Sequence, residues 1–282
     1  MTRKQKRTIK TVLLYIVLFI LAVLLLFPLL WGISASLRSD NELFSKVMPF
    51  TWHTLVPVEW SFQSYIDLFA KYNFLRPVMN TLFVTAVSIV IGCILNSIAA
   101  FAFAMFEFPF KRFLFGLVLL SFMIPFEAIA LPLYQVVDSM NMVDTYQGLI
   151  LPSLANGLVM FLFVQFFRDI PGELLDAARV DGAGIGKVFI SILMPLSKPI
   201  FITAGLMFFM NQWNSYLWPL LIARSKNIRT IQIALGFFST EHKTNWSALY
   251  AGSMFSAMIP LCLFLPLQKY FVQGITSSGI KG

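Results

Sequence analysis

Five stretches of this 282-residue chain, 11–37, 77–106, 145–167, 199–223 and 244–268, contain no Asp, Glu, Lys or Arg. Each is longer than the roughly 20 residues an α-helix needs to cross the hydrocarbon of a bilayer. A sixth stretch, 113–137, is interrupted by Glu127 and followed by Asp138, but is otherwise long enough. The expected fold is therefore an all-α polytopic membrane protein with six spans, and residues 1–282 form a single membrane domain with no separable soluble one. Composition agrees, with 58% hydrophobic residues and 12% charged, where soluble domains run near 25% charged.

The charges that remain sit at the ends of the apolar runs. A net charge of +8 does not point to nucleic acid, because no basic face interleaved with aromatics is present. Cys93 and Cys262 lie deep inside apolar runs, which gives neither a disulfide framework nor metal-ligand spacing. Arg3, Lys4, Lys6, Arg7 and Lys10 precede the first run, as in a signal peptide. That run far exceeds the 7–15 residues of a signal h-region, so an uncleaved first span is expected.

Six spans with a basic cytoplasmic start place both termini inside. On that count, thirteen of the 21 Lys and Arg residues fall on the inner side and eight on the outer, the sense of the positive-inside rule. Trp31, Trp52, Trp60, Trp218 and Trp246 all fall near the expected outer ends, as an interfacial aromatic belt requires.

The inner loop 168–198 combines glycines, charge and helix starts. Gly182, Gly184, Gly186 and Lys187 imitate a phosphate loop, but Asp181 and Val188 break the Gly-x4-Gly-Lys-Ser/Thr spacing. The dinucleotide fingerprint fails as well, since Lys187 takes its third glycine's place and no strand precedes. Pro171 suits a first helical turn, where Glu173 and Asp176 favour the positive end of the helix dipole. Leu174, Ala177 and Ala178 then give a small apolar face. Gly182 ends this helix, and a second begins near Gly184 and runs toward Pro195 and Pro199. Two short helices at a bend make a docking knob.

The run Asp176-Ala177-Ala178, three residues, Gly182, nine residues, Ile192, one residue, Met194-Pro195 resembles the EAA motif of permease subunits of binding-protein-dependent ABC importers. The chain is most similar to carbohydrate-uptake permeases of the second-subunit, maltose-importer type. Supporting pieces are Pro132-Leu133-Tyr134, Trp213-Asn214, Trp246 with Ala248, and the ending from Gln268 to Gly282. Asp176 stands where the motif usually has Glu, and Met194 where it has Leu. These departures leave the docking role intact and bear on the ion pair with the ATPase.

The resemblance implies a type I ABC importer permease fold, with residues 77–268 as its core, in a bacterial or archaeal cell membrane. It implies a second homologous permease, two cytoplasmic ATPase subunits and an extracytoplasmic solute-binding protein as partners. ATP and Mg would bind the ATPases, no cofactor this chain, and the cargo would be a sugar or oligosaccharide. The coupling residues implied are Glu173, Asp176, Ala177, Ala178, Asp181, Gly182, Ala183 and Pro195.

Other polar residues within the spans have two readings each. Glu127 either lines the solute path or is hydrogen-bonded between helices near Pro125 and Pro132; sugar transport needs no proton relay, which favours the second. Asn211, Trp213 and Asn214 offer amides and an indole face to a sugar, or serve as interhelical glue. Gly92, Asn96, Ser97, Ala99 and Ala100 read as a close-packing face. The outer segment 224–243 is similar to the family's loop toward the binding protein, or is a plain surface hairpin. His53 and His242 are expected to be solvated. Rival readings are an ABC permease for a peptide, metal or phosphonate, and a stand-alone secondary carrier. The carrier would need midplane ion ligands and usually paired repeats, and no internal repeat is evident.

Overall fold

The computed structural model describes residues 3–45, 51–239 and 244–276. Its helices, in chain order, are α1 (Arg3–Ser36), α2 (Asp40–Ser45), α3 (Trp52–Leu55), α4 (Gln63–Ala70), α5 (Leu75–Met105), α6 (Lys111–Met123), α7 (Phe126–Ser139), α8 (Tyr146–Leu154), α9 (Gly157–Arg168), α10 (Gly172–Val180) and α11 (Ile185–Val188). A π-helical turn at Phe189–Leu193 leads into α12 (Met194–Leu196), α13 (Lys198–Trp213), α14 (Leu217–Ile222), α15 (Ile231–Gly236) and α16 (Trp246–Thr276). Among the described residues the only β pairing is an isolated bridge between Ser239 and Thr244.

Among the described residues, three helical segments, Arg7–Ser36, Leu75–Met105 and Trp246–Gln268, are long and apolar enough to cross a membrane. Three bent pairs bring the number to six if each is one crossing. The bends fall within the apolar runs or at their ends. Within 113–137, α6 and α7 meet at 103°, because Ile124 before Pro125 takes an extended backbone (φ −78°, ψ 122°), the conformation a following proline imposes. Within 145–167, α8 and α9 meet at 41° across Ala155 and Asn156. The run 199–223 is also divided, since α13 stops at Trp213 and a separate short α14 follows. Its other end turns by 80° at Ser197, where Pro199 lacks the N–H that would continue the helix from upstream.

The chain forms two compact units, one built on the residues up to Phe74 with Leu235–Ile259, the other on Leu75–Ala234 with the residues from Pro260 on. In the first, Gly32 lets α1 approach Met254, since a Cβ at Gly32 would lie 2.7 Å from its Cε. Arg38 is buried just beyond α1, donating from Nη2 to Ser34 Oγ and to the Thr54 carbonyl. Burial lowers its pKa, and Glu42 partly offsets that. Asp40 accepts from the Ser247 N–H at 2.7 Å, and Asn245 caps α16 by accepting from Ala248.

The second unit is organised on α5. One ridge of that helix carries Thr81, Thr85, Ser88, Gly92, Asn96 and Ala100, all buried. Small residues at this spacing let helices approach closely where lipid supplies no hydrophobic drive between them. A Cβ at Gly92 would stand 2.5 Å from the Phe208 ring of α13. Phe163 and Phe167 of α9 and Ile200 and Ala204 of α13 complete this core. Asn96 serves the α8–α9 break: its Nδ2 donates to the Leu154 carbonyl at 2.6 Å, and its Oδ1 accepts from the Asn156 N–H at 3.0 Å. Backbone groups orphaned by the break are thereby satisfied inside the protein, as an apolar environment demands.

Candidate functional site

The loop between α9 and α13 is built by local rules. In α10, Pro171 precedes the first turn and Glu173 lies within it. The helix ends on Gly182, whose φ is 75°, with the Ala183 N–H bonded back to the Ala178 carbonyl at 2.9 Å. A 6→1 closure around a left-handed residue is a Schellman cap, which favours glycine. Nothing stands within 4 Å of where a Gly182 Cβ would be, so backbone conformation, not crowding, fixes that residue. The next helix, α11, follows Gly184 at its N-cap position and widens into the π turn before Pro195, whose ring would strike the carbonyl four residues back in a regular helix.

The loop's side chains divide into two sets. Ala178 is buried with Val188 and Leu193 in the core, and Ala183 packs against the same cluster. The expected outward face of Leu174, Ala177 and Ala178 is thus corrected: Ala178 is small because α10 lies close on its own body. Glu173, Asp176, Ala177, Asp181 and Pro195 are exposed. So are three bulky apolar residues, Leu174 at 46%, Val180 at 88% and Ile185 at 62%. Val180 and Ile185 were missed by sequence reasoning. Their signal was a bulky aliphatic on each side of the Asp181-Gly182 bend, where a solvated turn would carry polar residues.

The solute-path candidates differ in their surroundings. Glu127 is exposed in the first turn of α7, directly after the break, not halfway along a continuous helix. Asn211 is exposed in the last turn of α13. Trp213 is 1% exposed and stacks on Phe209 at 5.4 Å, a core anchor whose indole face is covered. Asn214 is exposed, and its Nδ2 donates to the Met210 carbonyl. Gln212, in the same polar run, donates to Ser88 and Ser153 hydroxyls and joins α13 to α5 and α8.

On the outer side by the expected topology, 224–231 is fastened to α5. Asn80 Nδ2 donates to the Asn227 and Arg229 carbonyls at 2.8 and 2.9 Å, and the Ile231 N–H donates to Thr81 Oγ1. Arg76 also donates to the Asn227 carbonyl. His53 lies in α3, whereas His242 lies outside the described residues.

Residues 88–276 match the family described as binding-protein-dependent transport system inner membrane component. The chain is 33% identical over 263 residues to the arabinooligosaccharides transport system permease protein AraQ of Halalkalibacterium halodurans, covering 93% of each chain. It is 32% identical over 279 residues to the sn-glycerol-3-phosphate transport system permease protein UgpE of Rhizobium meliloti, covering 97% of this chain and 99% of the relative. Its fold is similar to a chain of a bacterial ABC transporter involved in the import of the acidic polysaccharide alginate, with a TM-score of 0.83 at 22% identity over 96% of this chain and 99% of that one. Together with the apolar helices and the glycine-closed loop, these likenesses identify a multi-pass membrane protein: the chain belongs to the binding-protein-dependent transport system inner membrane component family, the permease subunits of ABC importers.

Proposed function

We propose that this permease is half of a membrane pair that passes a sugar or oligosaccharide into the cytoplasm. A second homologous permease, two ATPase subunits and an extracytoplasmic solute-binding protein complete the importer. ATP and Mg are bound by the ATPases, and the chain itself holds no cofactor. The observation that carries the coupling role is the outward set on the loop, with Leu174, Val180 and Ile185 exposed beside Glu173, Asp176 and Asp181. Bulky aliphatics rimmed by charge fit a protein cleft better than water. When the ATPases close on ATP, α10 moves with its cleft. The capped bend at Gly182 and the packing of Ala178, Val188 and Leu193 pass that motion to α13.

The cargo reading rests on the relatives that are sugar-oligomer permeases. A phosphorylated polyol is the second reading, supported by the glycerol-phosphate permeases among them. Asn211 and Asn214 are the preferred solute contacts, being exposed amides at the end of α13, and Glu127 is a weaker one. Trp213 is better read as the anchor that positions them. Mass spectrometry of ligand on the co-purified binding protein separates the two cargoes.

The coupling role requires the loop to face the cytoplasm, with both termini. In intact cells an impermeant maleimide is expected to label Ser45→Cys and spare Gly186→Cys. The reverse pattern would put the loop on the wrong side for an ATPase.

A further inference from the structure

Where α5 turns into α6, beside the end of α9, a cavity of about 780 Å³ is lined by Glu107, Lys111, Arg112 and Arg168 among phenylalanine rings. Lys111 is already committed, since its Nζ donates to the Phe106 carbonyl and to Glu107 Oε1, both at 2.8 Å. That ion pair is neutral overall. The Glu107 carboxyl is held below the usual carboxylate range, first by the Lys111 hydrogen bond and charge, then more weakly by Arg112 and Arg168. Three cations thus act on one carboxylate, and the charge of the two arginines is left over. Arg168 is steadied 5.5 Å above the Phe115 ring. Both arginine side chains are exposed.

Helix α6 sets the level at which these cations sit. No residue in it is buried. Phe113, Leu117, Leu120 and Met123 are 64%, 47%, 57% and 71% exposed. An apolar helix with one face left uncovered and headed by cations puts those cations at the headgroup level, with that face in hydrocarbon. A planar guanidinium binds phosphate oxygens in pairs, and basic pockets at this level suit anionic headgroups. The exposed rings of Phe110 and Phe113 flank the opening as apolar cover for a glycerol backbone.

We propose that Arg112 and Arg168 hold the phosphodiester headgroup of an anionic phospholipid. The proposal rests on the membrane-permease reading but not on its orientation, because it applies in either leaflet. Native mass spectrometry of the whole importer, purified in detergent with equimolar phosphatidylglycerol and phosphatidylcholine, reads the lipid retained. The wild type is expected to retain phosphatidylglycerol selectively, and R112Q/R168Q to lower that selectivity about tenfold. E107Q, which removes the competing carboxylate, should keep or raise it, and excess inorganic phosphate should not displace the lipid. Selectivity unchanged in R112Q/R168Q would overturn the proposal. Displacement by inorganic phosphate would make this a free-anion site instead. Loss of the ATPase from R112Q/R168Q with lipid retention intact would assign the face to subunit docking. None of these results bears on the loop's orientation, which the maleimide pattern tests separately.

Discussion

Gly92 and Gly182 are the same residue held in place by opposite constraints. At Gly92 the backbone is plain helix and the space is full, with the Phe208 ring where a Cβ would go; at Gly182 the space is empty and the backbone is left-handed. The contrast extends to their surroundings. The α5 ridge is specified by shape and by buried polar groups that satisfy one another. The loop between α9 and α13 is specified by its caps, and turns much of its side-chain surface outward. The first region is closed on itself, and the second leaves bulky aliphatics exposed. Substitutions in the two regions should therefore fail in different assays.

Gly92→Val is expected to have the largest effect. Forcing a branched side chain against Phe208 overpacks the α5–α13 contact, on the order of 3 kcal/mol. The permease should be lost from the membrane fraction before any question of coupling arises. Thermal unfolding in detergent and the yield of assembled importer check this. Normal yield would show that the α5 ridge tolerates separation, and the contrast would weaken.

Gly182→Val should cost less in stability, about 1–2 kcal/mol for a non-glycine residue in the left-handed region, and more in function. The permease should insert and assemble its six crossings yet retain its ATPase poorly. Gly182→Asn, which tolerates the same φ, should restore most of the retention. If Val and Asn behaved alike, the φ argument would be wrong.

The smallest effect is expected at the exposed Glu107–Lys111 pair. A carboxyl whose folded pKa is lowered adds stability that is fully present above its ordinary value of 4.5. That increment is lost as pH falls through the lowered value, so Glu107→Gln should match the wild type at the acid end. At pH 7 it should shift the melting temperature by less than ~2 °C. A larger shift would mean that the turn before α6 is held by this pair, not by α6 packing.

The membrane class of the fold was legible because 11–37, 77–106 and 244–268 are apolar for longer than a soluble helix needs. The breaks were less legible. Pro125 signalled one, but the 41° bend at Asn156 depends on Asn96, sixty residues away, supplying bonds to both sides. At the candidate site, Gly182 could be read because one residue at positive φ has a local signature. Ala178 was read as facing outward because an alanine on a short helix carries no mark of which side is covered. Trp213 and Asn214 are adjacent and were both solute-path candidates, yet one is stacked in the core and the other exposed. Only tertiary packing decides between them.

The central claim is that the outward edge of the loop is the ATPase docking surface, and Val180→Asp/Ile185→Asp tests it most directly. Both residues are exposed, so the change should leave folding and membrane insertion intact. Burial of each aliphatic in a cleft is worth about 2 kcal/mol. Co-purification of the ATPase, measured alongside hydrolysis stimulated by the loaded binding protein in liposomes, should therefore fall at least tenfold. Wild-type retention together with wild-type stimulation in the double variant would contradict the account.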